Sequence, residues 1–160
     1  MLFRSYARAD YACCTGDQAP DEFFPGPPTL AAGDDPRFPW PDSSIFTGAI
    51  FQRSGVKLNI ITSGNGTSNT FLAGEKYLNP DHYFNGADGS DNESMYVGFD
   101  NDIARSTDYP PMKDRPGVTS TFAFGSAHTA GLNMLYCDGS VSYIAFSIDP
   151  AVFLRAGNRH

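Results

Sequence analysis

The sequence predicts a β-dominated α+β fold: an antiparallel sheet, long irregular loops and a short carboxyl-terminal helix. Three observations carry this. Glycine and proline fill 16 and 12 of the 160 positions, which forces many chain reversals and leaves little room for long helices. Short apolar runs alternate with polar residues at the two-residue period of half-buried strands. Near the carboxyl end, Asp138-Gly139 separates two such runs, a strong local hairpin signal. With 41% hydrophobic and 14% aromatic residues the chain can build a core, so wholesale disorder is excluded. Its length suits one domain over 1–160.

Residues 1–47 read as an irregular segment packed on a β body formed by 48–160. Pro20, Pro25, Pro27, Pro28, Pro36, Pro39 and Pro41 are too dense for regular helix or central strand. Phe23, Phe24, Phe38 and Trp40 lie among them and are expected to pack onto the body. Residues 48–53 have strand composition. Val56, Leu58 and Ile60 alternate with polar neighbours, which fits either a strand or a short helical turn. Residues 63–66 form a turn. Residues 70–78 read as a strand in which Gly74 marks a bulge or a close backbone approach.

Residues 79–117 are rich in Asp, Asn, Gly and Pro and read as a second irregular region, interrupted by a short strand at 94–97. The β pattern resumes at 119–124. A type I′ turn at Asp138-Gly139 pairs Tyr136 with Val141, Met134 with Tyr143 and Leu132 with Ala145, all six on the core face. Asp149 is placed to cap a final helix that starts at Pro150 and ends at Gly157.

A net charge of −7 argues against binding phosphate backbones or anionic lipid surfaces. No run of about 18 apolar residues exists, so no membrane helix is expected, and the first ten residues do not read as a signal peptide. Three cysteines are present. Adjacent Cys13 and Cys14 do not readily bond each other; one of them can bridge Cys137, with Cys14–Cys137 the candidate disulfide, against the reading of three small buried thiols.

Chemistry-bearing residues are sparse. Ser126, His128 and Asp138 superficially form a hydrolase set, but no G-x-S-x-G elbow accompanies them. Glu75, Asp81 and His82 lack H-E-x-x-H spacing. Asp88, Asp91 and Glu93, with Asp100 and Asp102 further on, crowd carboxylates into loops. That set suits Ca²⁺ if it binds a metal, and a solvated acidic loop if it does not. The sequons at Asn65 and Asn92 are read as coincidental, with Asn65-Gly66 better explained as a turn.

His128 is followed by nine residues and then Asp138-Gly139. Around this lie 66–70 (GTSNT), 74–76 (GEK), 91–96 (DNESMY), 9–12 (ADYA), 147–150 (SIDP) and 157–159 (GNR). In this order the motifs resemble the bacterial prepilin-like family that carries a C-terminal H-x9-D-G signature, the domain of unknown function fifteen-fifty-nine. The resemblance covers most of the chain. Members begin with a basic leader, a cleavage site and a long hydrophobic helix. The expectation is therefore a head domain truncated at its amino terminus, without the pilin helix.

The resemblance implies an extracytoplasmic, non-catalytic head domain of a type IV pilin-like or pseudopilin-like protein, acting in filament or secretion-system assembly. Its partners would be other pilin-like subunits. It would bind no nucleic acid and meet a membrane only through the missing helix. His128 is expected to tie residues 124–128 to the last two strands, and Asp138 and Gly139 to shape the turn. No cofactor is required; Ca²⁺ at Asp88, Asp91 and Glu93 is the candidate ion, by analogy with pseudopilin loops. The alternative is a secreted calcium- or glycan-binding β module.

Overall fold

The computed structural model describes residues 7–18 and 26–160. Its main sheet has five strands in the order β3-β1-β2-β6-β7. These are β1 (Tyr11–Cys14), β2 (Phe71–Glu75), β3 (Ala104–Arg105), β6 (Gly131–Tyr136) and β7 (Val141–Ala145). β1–β2, β2–β6 and β6–β7 pair antiparallel, whereas β1–β3 is parallel. A second, two-stranded parallel sheet joins β4 (Met112–Lys113) to β5 (Gly125–Ser126). Helices are short: α1 (Leu30–Asp34), α2 (Leu58–Ser63) and α3 (Pro150–Ala156). The α+β class, the mostly antiparallel sheet and the short final helix agree with the sequence reading.

The division at residue 47 does not hold. β1 lies inside the supposed irregular segment and is an interior strand of the sheet, with Ala12 and Cys14 buried. Four small or flat residues ahead of the first proline suffice, because long-range partners supply both ladders. A helix also survives among the prolines. α1 fits between Pro28 and Pro36, and Thr29 Oγ1 accepts from Ala32 N at 3.1 Å as its cap. Phe38 and Trp40 meet edge to face, and Arg53 stacks over the indole. Phe23 and Phe24 lie outside the described residues.

Three expected strands do not form. Residues 48–53 run as turns beside β1, with Gly48 N bonded to Thr15 O, and a Cβ at Gly48 would lie 2.3 Å from the Thr15 carbonyl carbon. Residues 94–97 close a turn through Val97 N and Ser94 O. In 119–124 only Phe124 makes a bridge, to Lys76. Of the alternation at 56–60, Leu58 to Ile60 are helical, in α2, with Lys57 as its extended N-cap and Val56 ahead of it. In β2 the irregularity falls just before Gly74, and Gly74 itself makes room for a close neighbour, which is a side chain and not backbone. The register shifts between Phe71 and Ala73, and a Cβ on Gly74 would sit 2.1 Å from the Met134 sulfur.

The carboxyl-terminal hairpin forms, but in a register one residue from the expected one. Leu132 faces Ile144, Met134 faces Ser142 and Leu135 faces Val141. Gly139 N bonds to Tyr136 O and Tyr136 N to Ser140 O. Of the two turn residues only Gly139 has positive φ, at +88°. This is a three-residue loop, a type I turn closed by a glycine bulge, rather than the two-residue type I′ turn. The extra residue reverses β7: Ile144 turns to the core, while Val141 and Tyr143 become exposed.

The core joins Cys14, Phe71, Phe124, Leu132, Met134 and Phe153. Phe153 projects from α3 onto Phe71 and Phe124, with ring centroids 5.5 and 6.2 Å away. α3 begins as expected, with Asp149 Oδ1 accepting from Ala151 N at 2.8 Å and Pro150 in the first turn.

Candidate functional site

The H-x9-D-G residues occupy opposite ends of β6. At one end, Asp138 Oδ1 accepts from Ser140 N at 2.8 Å and from Ser140 Oγ at 2.6 Å, which holds its carboxyl below the usual range. Cys137 N and Asp138 N bond to Thr70 O and Thr67 O, docking the turn on the loop before β2. At the other end, Ser126 Oγ accepts from His128 N and donates to Gly131 O. The Nε2 of His128 lies 3.1 Å from Oε1 of Glu75, and its ring meets Tyr143 edge-on. The second Glu75 oxygen accepts from Asn133 N at 2.6 Å and from Asn133 Nδ2 at 3.2 Å.

His128 thus reaches β2 and β7 directly, and β6 through Glu75. Six strand residues separate it from Asp138, a distance of about 20 Å at the usual strand rise. The Ser126 hydroxyl donates to a main-chain carbonyl, not to the imidazole. Ser126, His128 and Asp138 therefore do not assemble.

The proposed calcium ligands do not converge either. Asp91 bonds Lys76 Nζ at 2.8 Å and Arg8 Nη1 at 2.7 Å. Asp88 accepts from Asn79 N, Ser90 N and Ser90 Oγ. Burial pushes its carboxyl up, but these hydrogen bonds outweigh that and hold it below the usual range. Glu93 is exposed and contributes only its backbone N–H, to Asp102 Oδ1. Among the described residues no three His, Cys, Asp or Glu side chains are grouped to hold a metal. Cys13, Cys14 and Cys137 stand as free thiols, so no bridge joins Cys14 to Cys137. Burial pushes Cys14 up to about 12 and Cys137 up to about 11, which disfavours the thiolate of both.

A buried charge cluster lies under this region, and sequence reasoning missed it. Lys76 follows β2 with its side chain 1% exposed. Its ammonium donates to Ser90 O, Asp91 Oδ1 and Asp102 O at 2.8–2.9 Å. Arg105 in β3 is equally buried and donates to Ala123 O, Ala104 O and Asn101 O; burial pushes it down to about 10. Together these two cations pin the 88–105 loop onto the sheet. No local pattern announces them, since both sit in unremarkable strand-end positions.

Above Lys76 opens a cavity of about 510 Å³, walled by Arg8, Asp10, Glu75, Tyr83, Asp114 and His128, with Phe84 at its mouth. Tyr83 OH donates to Asp114 Oδ2, and Leu78 N to Asp114 Oδ1 at 3.1 Å. Burial pushes the Asp114 carboxyl up, and Asp88 and Glu75 push it further by repulsion, against those hydrogen bonds. The arrangement offers acceptors, an aromatic rim and a rigid floor.

A family model, SBP_bac_10, described as "Protein of unknown function (DUF1559)", matches residues 42–151, more than half of the chain and inclusive of His128, Asp138 and Gly139. No curated protein and no solved structure matches.

Proposed function

The chain belongs to the DUF1559 family, and from that premise we propose that it is the extracytoplasmic head domain of a type IV pilin-like or pseudopilin-like protein. In this reading it works in filament or secretion-system assembly through surface contacts with other pilin-like subunits. It turns over no substrate, requires no cofactor and binds no nucleic acid. The observation that carries the reading is the use made of the signature residues. His128 clasps Glu75 and Asp138 closes its own turn, so both serve the architecture of the hairpin. The strand that this hairpin presents at the sheet edge, β7, exposes Val141 and Tyr143 without a covering element among the described residues. No helix of the described residues is long and apolar enough to cross a membrane.

The test is fractionation of the native cell with an antibody to this domain. The expected result is antigen in the envelope and in the sheared surface fraction, with an uncleaved precursor accumulating when the prepilin peptidase is deleted. Antigen confined to the cytosol, or processing indifferent to that peptidase, would overturn the proposal.

A further inference from the structure

We propose that the cavity above Lys76 binds a cationic group on an aliphatic stem: a primary ammonium or guanidinium, carried by a lysine or arginine side chain or by a free amine. Its volume, about 510 Å³, lies in the range of small-ligand sites. Its wall has a charge imbalance. Lys76 has all three ammonium donors engaged below the floor, and Arg8 is engaged by Asp91 and by Tyr83 O. Three further carboxylates remain on the wall. Glu75 and Asp114 are held by neutral partners or by His128, and Asp10 receives no side-chain hydrogen bond among the described residues.

The field of these groups is felt inside the cavity. Burial first, then Asp114 and Asp10, push the Tyr83 phenol well above its ordinary range. At the mouth stands Phe84, 97% exposed, with Tyr83 packed perpendicular to it at 6.4 Å. An aromatic face beside carboxylates that no lysine or arginine engages is the pairing that favours an organic cation over a hydrated metal ion. Leu78 supplies apolar surface for the stem. The inference is independent of the head-domain proposal, because it concerns the isolated chain.

The experiment is a titration of the isotope-labelled chain, followed by backbone amide NMR, with three probes: Nα-acetyl-lysine methylamide, cadaverine and the neutral isostere Nα-acetyl-norleucine methylamide. The expected result is shifts at 75–78, 83–84 and 125–128 with either amine, weakened by salt and absent with norleucine. Binding of the capped lysine points to a side chain as the source, and binding of cadaverine alone to a free amine; both outcomes support the cationic class. Phe84→Ala and Asp10→Asn, at exposed positions, should each weaken binding roughly threefold or more with unchanged melting temperatures. No shifts with either amine, equal shifts with norleucine, or affinity indifferent to both substitutions would overturn it.

Discussion

Replacing Lys76 by methionine tests whether the buried charge cluster holds the loops onto the sheet. Methionine fills the space of the lysine stem, so the change removes charge and donors with little loss of volume. Three acceptors lose their donor: the carbonyls of Ser90 and Asp102, and Asp91 Oδ1. Breaking a buried ion pair from one side typically costs about 3–5 kcal/mol. Two features place this site at the low end. Arg8 still neutralises Asp91, and burial already depresses the Lys76 pKa, so its removal also relieves a desolvation penalty. The expected loss is about 3 kcal/mol.

Urea unfolding at neutral pH reads this directly. With a slope of about 1–2 kcal/mol/M the midpoint should fall by roughly 2 M at constant slope. Amides of 88–105 should lose protection against hydrogen exchange before those of β6. A loss under about 1 kcal/mol, or protection unchanged in that loop, would refute the cluster as an anchor.

Two further outcomes follow from other contacts. Burial pushes the Asp102 carboxyl up to about 6, so the folded chain holds this proton more tightly than the unfolded one. Its stabilising contribution is present at low pH and falls away by about 1–3 kcal/mol as pH rises from about 4 to about 6. Asp102→Asn keeps an acceptor for Glu93 N and cannot titrate. The stability difference between wild type and variant should therefore move against wild type over that window, and a pH-independent difference would contradict the assignment. Around His128, the exposed pair with Glu75 should contribute little, and His128→Ala should cost roughly 0.5–1 kcal/mol. Glu75→Ala also orphans Asn133 N and should cost about 1–3 kcal/mol; equal losses by thermal melting would remove Glu75 as the centre of the clasp.

Local signals proved sound where the physics is local. The capped start of α3, the existence of the β6–β7 hairpin and the close approach at Gly74 depend on neighbours a few residues away or on the absence of a single Cβ. The hairpin register was not legible, because Asp138-Gly139 serves a two-residue or a three-residue loop equally well. The choice turns on whether Asp138 itself adopts positive φ, and it does not. Residues 94–97 show the opposite failure: Met95, Tyr96 and Val97 have strand composition but find no partner strand, and remain exposed in a turn. β1 was missed because its ladders come from Gly74 and Ala104, far along the chain. The cavity was invisible for the same reason. It unites residues from both sides of β2, the 83–91 loop, Asp114 and the 125–128 segment, which only the fold assembles.

The position of β1 also has a kinetic consequence. The strand completes its pairing only after β2 and then β3 have emerged, and β2 in turn waits for β6. A nascent chain therefore carries this inner strand without both of its partners until Ala104–Arg105 has been made. Such separation of partners favours slow closure, in milliseconds to seconds, and exposes Ala12 and Cys14 to chaperones, or to rival strands, until β2, β3 and β6 have all arrived.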